Sequence, residues 1–271
     1  MSSEDKMPKE PPVETPIPSP PVSEAEIDAL IQRVPPFTDM LKDVAQGNLA
    51  QAEKNAGVGV MDGHRLAWAA TIGMLRRFEK NPVPVPLNKE AHLHHRMVLA
   101  ITFVQGVPLC YETIGNGLYV QAAALLRQEM ETIAVLAEAR RTGEVKKITG
   151  QGQQVGKGNV AWKMNRLYGP LSSATHLTDP AQLDGIYRSE ARPEEGLTGR
   201  PVRLMPLYSH NIATSMWAFQ SGLILQLFSE IHLVLMDLYG EGANVVEAHA
   251  WETAVDSLQK AGFLMEEKPK Q

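Results

Sequence analysis

Apolar residues recur at intervals of three and four along most of the chain, and this spacing predicts amphipathic α-helices. No stretch alternates apolar and polar residues between turn signals, so no β-strands are predicted. We therefore expect an all-α fold, with one multi-helix bundle over residues 23–268. Residues 1–22 are rich in proline, serine and acidic residues, which bury too little apolar surface to offset ordering. They are predicted to form a disordered N-terminal tail.

Proline, glycine and capping residues set the expected helix limits. Gly106 and Pro108 predict a break or kink, after which one long helix should run from about Tyr111 to Arg141 and end at Gly143. Asn244 is expected to cap the final helix. A capping box at Ser23–Glu26 predicts a first helix that ends at Val34, before Pro35 and Pro36. The other predicted helical segments are approximately 38–54, 62–80, 88–105, 159–168, 179–189 and 209–239.

The segment 209–239 is the longest apolar stretch, and its length would allow a membrane span. Polar and charged residues interrupt it, among them Gln220, Glu230 and Asp237. Charges at bilayer depth are costly, so no membrane span is predicted. We expect this segment to be the central helix of the bundle.

Charge and cysteine content narrow the cellular setting. The net charge is −5 and no basic block is present, so the sequence carries no nucleic-acid signature. Cys110 is the only cysteine, which excludes an internal disulfide and fits a reducing compartment. The N-terminus lacks the apolar segment of a secretory signal, so the predicted location is the cytoplasm. The sequence specifies no cofactor or partner, and a homo-oligomer stays open.

The segment His92–His95 (HLHH) holds three imidazoles. His92 and His95 would share one helix face, a spacing that can chelate a metal. No third ligand and no HExxH signature accompany them. A solvated first helical turn is the preferred interpretation, and no metal site is predicted.

The segment LLRQEMETIA, residues 125–134, places three charges inside an apolar helix. At the α-helical spacing, Glu131 lies about 40° around the helix from Arg127, so the two share a face. Glu129 falls in the apolar sector, and the pattern does not explain it. Arg127 and Glu131 are either an ion pair on a solvated face or part of a buried cluster that needs further partners.

Two other segments are candidates to supply those partners. YGPLSSATH contributes Tyr168, Ser172 and His176, and the 209–239 helix carries a stripe of small and polar residues that ends at His232. We therefore expect a buried polar cluster of Arg127, Glu131 and His176. Tyr168, Ser172 and His232 are candidate binding residues beside it.

The segments LLRQEME and YGPLSSATH each resemble a motif of known proteins. LLRQEME resembles an Arg-x-x-x-Glu helix motif of bacterial helical domains of unknown function. YGPLSSATH is similar to their second motif, a Tyr, a Ser and a His before a helix. The resemblance covers approximately residues 110–240 and implies a mostly helical bacterial domain, with Arg127, Glu131, Tyr168, Ser172 and His176 at the motif positions.

Two function classes remain open on the sequence, so it does not decide whether the protein is an enzyme. The preferred hypothesis is a non-enzymatic helical module with a binding or interaction role, in which the Arg/Glu/His cluster orders the core. The alternative is a hydrolase-like enzyme acting on a phosphate- or carboxylate-bearing substrate. His176 would then be the general base and Glu131 an orienting group, while Arg127 would clamp the anion, because its planar fork matches an oxyanion.

Overall fold

The computed structural model describes residues 34–55, 58–80, 91–143 and 208–264, with a few isolated positions before residue 34. This part of the chain is helical and contains no strand, which confirms the all-α prediction. The predicted tail, the helices predicted near 159–168 and 179–189 and the Asn88 cap lie outside the described residues. Most of the helix predicted from Ser23 also lies outside them, and its predicted end, Val34, is the residue at which a described helix begins. The helices are α1 (Val34–Asn55), α2 (Val58–Lys80), α3 (Ala91–Gly115), α4 (Tyr119–Thr142), α5 (His210–Tyr239) and α6 (Val245–Lys260).

Residues 42–271 form one compact unit, and the helix packing of this unit involves its described residues. Residues 34–41 fall in a separate unit, residues 1–41, and are described only as the first part of α1. The predicted single domain over residues 23–268 stays a prediction.

Helix α5 is the centre of the bundle, as its apolar sequence predicts. It packs against α2, α3 and α4 and also contacts α6. Every residue from Trp217 to Phe228 is buried, so this stretch has no solvent-facing side. A polar side chain anywhere on it must find its partners inside the protein.

Two of the described helices, α3 and α5, are long and apolar enough to cross a membrane. Core helices of soluble proteins meet the same criterion. In α5, 67% of the most apolar window is buried within the protein, whereas in α3 the share is 33%. The burial of α5 agrees with its predicted place in the bundle core.

Of the break or kink predicted at Gly106 and Pro108, the break is wrong, because both residues lie inside one helix. Helix α3 continues through Pro108 to Gly115, so the predicted long helix from Tyr111 to Arg141 is in fact the end of α3 followed by α4. A proline removes one helical hydrogen bond, and packing of α3 against α4 and α5 offsets that loss.

The actual break is the turn at 116–118, where Gly117 adopts a left-handed conformation with φ of 78°. Its N–H donates to Ile114 O and the N–H of Leu118 donates to Thr113 O, both at 3.0 Å. This pair of bonds satisfies the last carbonyls of α3 and reverses the chain into α4.

Helices α1 and α2 each begin earlier than predicted, at Val34 and Val58 instead of Thr38 and Asp62. Pro35 and Pro36 fit the first turn of α1, because the amides of a first turn have no helical acceptor to lose.

Two predicted helix ends are confirmed. Helix α4 ends at Gly143, which is left-handed with φ of 65° and donates its N–H to Ala139 O. Asn244 caps α6 through its side chain, which accepts from Glu247 N at 2.9 Å, while the Glu247 carboxylate accepts from Asn244 N at 2.8 Å. The capping box fixes the start of α6 against α2, because Arg77 of α2 also donates to Glu247 at 2.7 Å.

We predict that Gly242→Ala destabilises the fold by about 1–3 kcal/mol. A Cβ at position 242 would overlap the ring of His232, and that ring is held in place because its Nδ1 accepts from Ala243 N at 2.9 Å. Urea unfolding measures the change. The matched control is Gly47→Ala in α1, where a Cβ meets nothing within 4 Å and the better helix propensity of alanine should stabilise. Equal stabilities of the two variants would contradict the overlap.

Candidate functional site

Helix α5 carries two groups of buried polar side chains. The Gln220 cluster consists of Gln220, Glu129 of α4 and His64 of α2; the Glu230 cluster consists of Glu230, Arg96 of α3 and Arg140 of α4. The buried polar cluster expected from the sequence is thus present in the described part of the chain, although different residues form it.

The Glu230 cluster is an ion-pair network. Arg96 Nη2 lies 2.9 Å from Glu230 Oε2, and Arg140 Nε lies 3.1 Å from Glu230 Oε1. The Arg96 side chain is only 1% exposed, and burial lowers the pKa of its guanidinium while Glu230 counteracts that shift. Asp237, at 4.0 Å from Arg96 Nη1, adds a weaker, solvent-exposed contribution. The network neutralises a buried guanidinium at one end of the bundle.

The Gln220 cluster is a directed chain of hydrogen bonds. Gln220 Nε2 donates to Glu129 Oε1 at 3.0 Å and to the carbonyl oxygen of Val107 at 3.2 Å. Because a carbonyl oxygen only accepts, the amide nitrogen must face Val107, and Gln220 Oε1 is left to accept from His64 Nε2 at 3.1 Å. His64 therefore carries its proton on Nε2. Glu129 lies at the far end of this chain.

Burial holds both ends of the chain neutral. Desolvation raises the pKa of Glu129 to about 8, and the hydrogen bond from Gln220 opposes the shift only in part. Desolvation also lowers the pKa of His64 to about 4, against the hydrogen bond to Gln220. At neutral pH the cluster therefore consists of a protonated acid, an amide and a neutral imidazole.

Aromatic side chains enclose the His64 end of the cluster. Tyr111 lies 5.1 Å from the His64 ring and 5.4 Å from Trp217, measured between ring centroids. Cys110 is fully buried nearby, and burial, together with the proximity of Glu129, raises the pKa of its thiol. Such a thiol packs as a small hydrophobic group and does not act as a nucleophile.

The Glu129 end of the cluster adjoins a cavity of about 50 Å³ between α3 and α4. Glu129 lines this cavity together with Phe103, Gly106 and Leu125. Among the described residues, Glu129 Oε2 has no hydrogen-bond partner although the side chain is buried. A buried polar atom of this kind requires a reason.

The predicted Arg127–Glu131 pair exists but lies away from both clusters. Arg127 Nε donates to Glu131 Oε1 at 3.0 Å, and the two side chains are 25% and 50% exposed. This geometry is the solvated-face alternative of the two considered from the sequence. Tyr168, Ser172 and His176 lie outside the described residues, so their proximity to Arg127 stays a prediction.

His232 is brought to the α5–α6 connection rather than to Arg127. Its Nδ1 accepts from Ala243 N, and its ring packs against Gly242. His94 is exposed and His95 is half-buried, and the described residues contain no group of three His, Cys, Asp or Glu able to hold a metal.

Sequence reasoning did not identify Arg96, Gln220, Glu230 or His64 as members of a cluster. A signal was present for two of them, because Gln220 and Glu230 interrupt the most apolar helix of the chain. Their partners lie on three other helices, and no local spacing links those helices in the sequence.

Comparison with models of known protein families, with curated proteins and with solved structures gave no significant match.

We predict that Glu230→Ala destabilises the protein by about 3–5 kcal/mol, because it leaves the Arg96 guanidinium buried without its carboxylate. The matched control is Glu131→Ala, which removes a carboxylate that is 50% exposed; loss of its i,i+4 pair costs about 0.2–0.5 kcal/mol, so this variant should lose much less stability than Glu230→Ala. Denaturant unfolding of both variants gives the comparison. A loss below about 1 kcal/mol for Glu230→Ala would show that the network does not hold α3 and α4 to α5.

We predict that stability falls as the pH rises from 6.5 to 8 and that Glu129→Gln removes this dependence. The folded protein keeps the Glu129 proton up to a pKa of about 8, whereas the unfolded chain releases it near 4.5. The unfolded state therefore binds fewer protons in this window, and the free energy of unfolding decreases by at most about 1.4 kcal/mol per pH unit.

His64 acts in the opposite direction. Its pKa is about 4 when folded and 6.5 when unfolded, so its contribution is lost as the pH falls through that lower window. Urea unfolding of native protein and Glu129→Gln between pH 6.5 and 8 therefore isolates Glu129. Parallel pH profiles for the two proteins would contradict the assignment of a neutral buried acid.

Proposed function

We propose that this chain is a non-enzymatic helical module that binds a partner or a small ligand, with the Gln220 and Glu230 clusters ordering its core. A cytoplasmic location and the resemblance to bacterial helical domains belong to the same proposal. The observation that carries it is the way the buried charges are used: Glu230 faces Arg96 and Arg140, and the Arg96 side chain is almost completely shielded from solvent.

Groups engaged in this way fix the positions of helices. An arginine that is 1% exposed cannot approach a substrate without breaking its ion pair, and breaking a buried pair is strongly unfavourable. Structural ion-pair networks perturb pKa values as catalytic groups do, so the shifted pKa of Arg96 does not argue for catalysis.

The outer face of α3 supports a binding role. Val98, Ile101 and Leu109 are each more than 40% exposed, and helical periodicity places them along one stripe. Exposed apolar side chains arranged on one face are typical of surfaces that meet another molecule.

The alternative hypothesis is a hydrolase in which Arg127 and His176 act on a substrate. A turnover assay separates this hypothesis from the non-enzymatic role. We expect no hydrolysis of phosphomonoesters or carboxylic esters that depends on these residues. Any hydrolysis seen with the native protein should therefore persist in Arg127→Ala and in His176→Ala. Arg127→Ala should also change its melting temperature little, because the Arg127 side chain is 25% exposed and its pair with Glu131 is partly exposed.

Contamination is the main confounding source of activity in such an assay. Hydrolysis that persists equally in native protein, Arg127→Ala and His176→Ala would be assigned to a contaminant and would agree with the proposal. Hydrolysis that disappears in both folded variants would overturn it and establish the enzyme.

A further inference from the structure

Glu129 differs from the other buried acids of the described chain in having no cationic partner. Glu230 is held by two arginines, and Glu247 pairs with Arg77 at 2.7 Å. Glu129 receives one hydrogen bond, from the neutral amide of Gln220, and its Oε2 receives none from the described residues. The other buried carboxylates in the described part of the chain are thus paired with cations, whereas Glu129 is not.

The unmatched acid lines a cavity that is large enough for a ligand. Its volume of about 50 Å³ is several times the roughly 10–15 Å³ needed for one water molecule. Thr102 and Gln128, which also line the cavity, are exposed residues, so its mouth reaches the protein surface. Phe103 and Leu125 give it apolar walls.

The hydroxyl groups at the cavity are available only as acceptors. Thr102 Oγ1 donates to Val98 O and Thr132 Oγ1 donates to Gln128 O, both at 2.9 Å within their own helices. Each hydroxyl proton is thereby committed, and the oxygen keeps lone pairs for another donor. Among the described residues that line the cavity, Glu129 is the only ionisable one. The lining favours a ligand rich in donors and carrying positive charge.

We propose that this cavity binds an alkylammonium group, with Glu129 as its counter-ion, the threonine hydroxyls as further acceptors and the apolar walls around its carbon atoms. The ammonium group would take the place of the carboxyl proton of Glu129 and supply the positive charge that arginines supply to Glu230 and Glu247. Because Oε2 has almost no accessible surface, the carboxyl group would turn toward the cavity to meet the ligand. This inference rests on the proposed binding role and names its ligand class.

The titratable groups around Glu129 do not replace that cation. Cys110 lies on α3, and His64 on α2 is reached through Gln220 on α5. His64 is neutral at pH 7 because burial lowers its pKa to about 4. An ammonium ligand would therefore be the first positive charge to reach the carboxyl group.

The test uses the full chain and methylammonium chloride as the probe, with potassium chloride and methanol as controls for ionic size and for a neutral ligand. Such a small ligand should bind at about 10 mM or more weakly, so saturation-transfer NMR is the suitable readout. We expect binding of methylammonium that neither control shows. Glu129→Gln should weaken it roughly tenfold to a hundredfold, because it removes a charge-assisted hydrogen bond.

Two further variants separate binding from folding. Glu138→Gln, on the same helix but paired with Arg141 at the surface, should bind like the native protein. Gly106→Met should abolish binding while preserving the melting temperature, because a Cβ at position 106 meets nothing within 4 Å and a larger side chain there would fill or cover the cavity. Retained binding in a folded Gly106→Met variant would overturn the site.

The pH dependence gives a readout that a merely structural acid would not produce. Binding the ammonium group ionises Glu129, so the apparent affinity should rise about tenfold per pH unit up to a pH of about 8. The ligand stays protonated throughout that range. Affinity that does not change with pH, or equal binding by Glu129→Gln, would overturn the proposal.

The ammonium group can belong to a free amine or to a lysine of a partner protein. A short lysine peptide that binds more than about tenfold tighter than methylammonium, with loss on acetylation, would identify the protein source; equal affinity would identify a free amine. Absence of all binding overturns the ammonium site. That result would not bear on the non-enzymatic role, which the turnover assay tests separately.

Discussion

The complete burial of α5 is the constraint on which the rest of this structure depends. From Trp217 to Phe228 no residue of the helix faces solvent, yet the helix carries Gln220 in this stretch and Glu230 just beyond it. Burying either without a partner would cost more than most single contacts contribute. Side chains on α2, α3 and α4 must therefore arrive at fixed positions along α5, and this requirement sets the register between the helices.

The three buried acids of the described helices are stabilised in three different ways. Glu247 sits at the first turn of α6, where it completes a capping box and accepts from Arg77. Glu230 lies near the end of α5, where long arginine side chains from two helices reach it and Arg140 retains access to water. Glu129 lies beside Gln220 and keeps its proton instead. The solution depends on how far the carboxyl group is from solvent and from a cation.

The sequence predicts local features of this fold well and distant pairings poorly. The Asn244 capping box, the Gly143 helix end and the central place of α5 follow from residues a few positions apart, and they are present. Pro108 predicts a break because it removes one helical hydrogen bond, but the packing of α3, which a single sequence does not show, keeps the helix intact. Glu129 fell in the apolar sector on the helix projection, but no spacing could reveal Gln220 as its partner.

The same limit explains why the sequence pattern points to Arg127 and not to Arg96. Both are arginines in apolar helices, and periodicity alone does not tell which face meets α5. The structure gives Arg127 a neighbour one turn away, whereas Arg96 depends on a carboxylate 134 residues later. Local pairs are visible in sequence because the helix itself brings them together. Pairs that position helices require the tertiary fold, and a buried acid without a cation is recognisable only once those pairs are known.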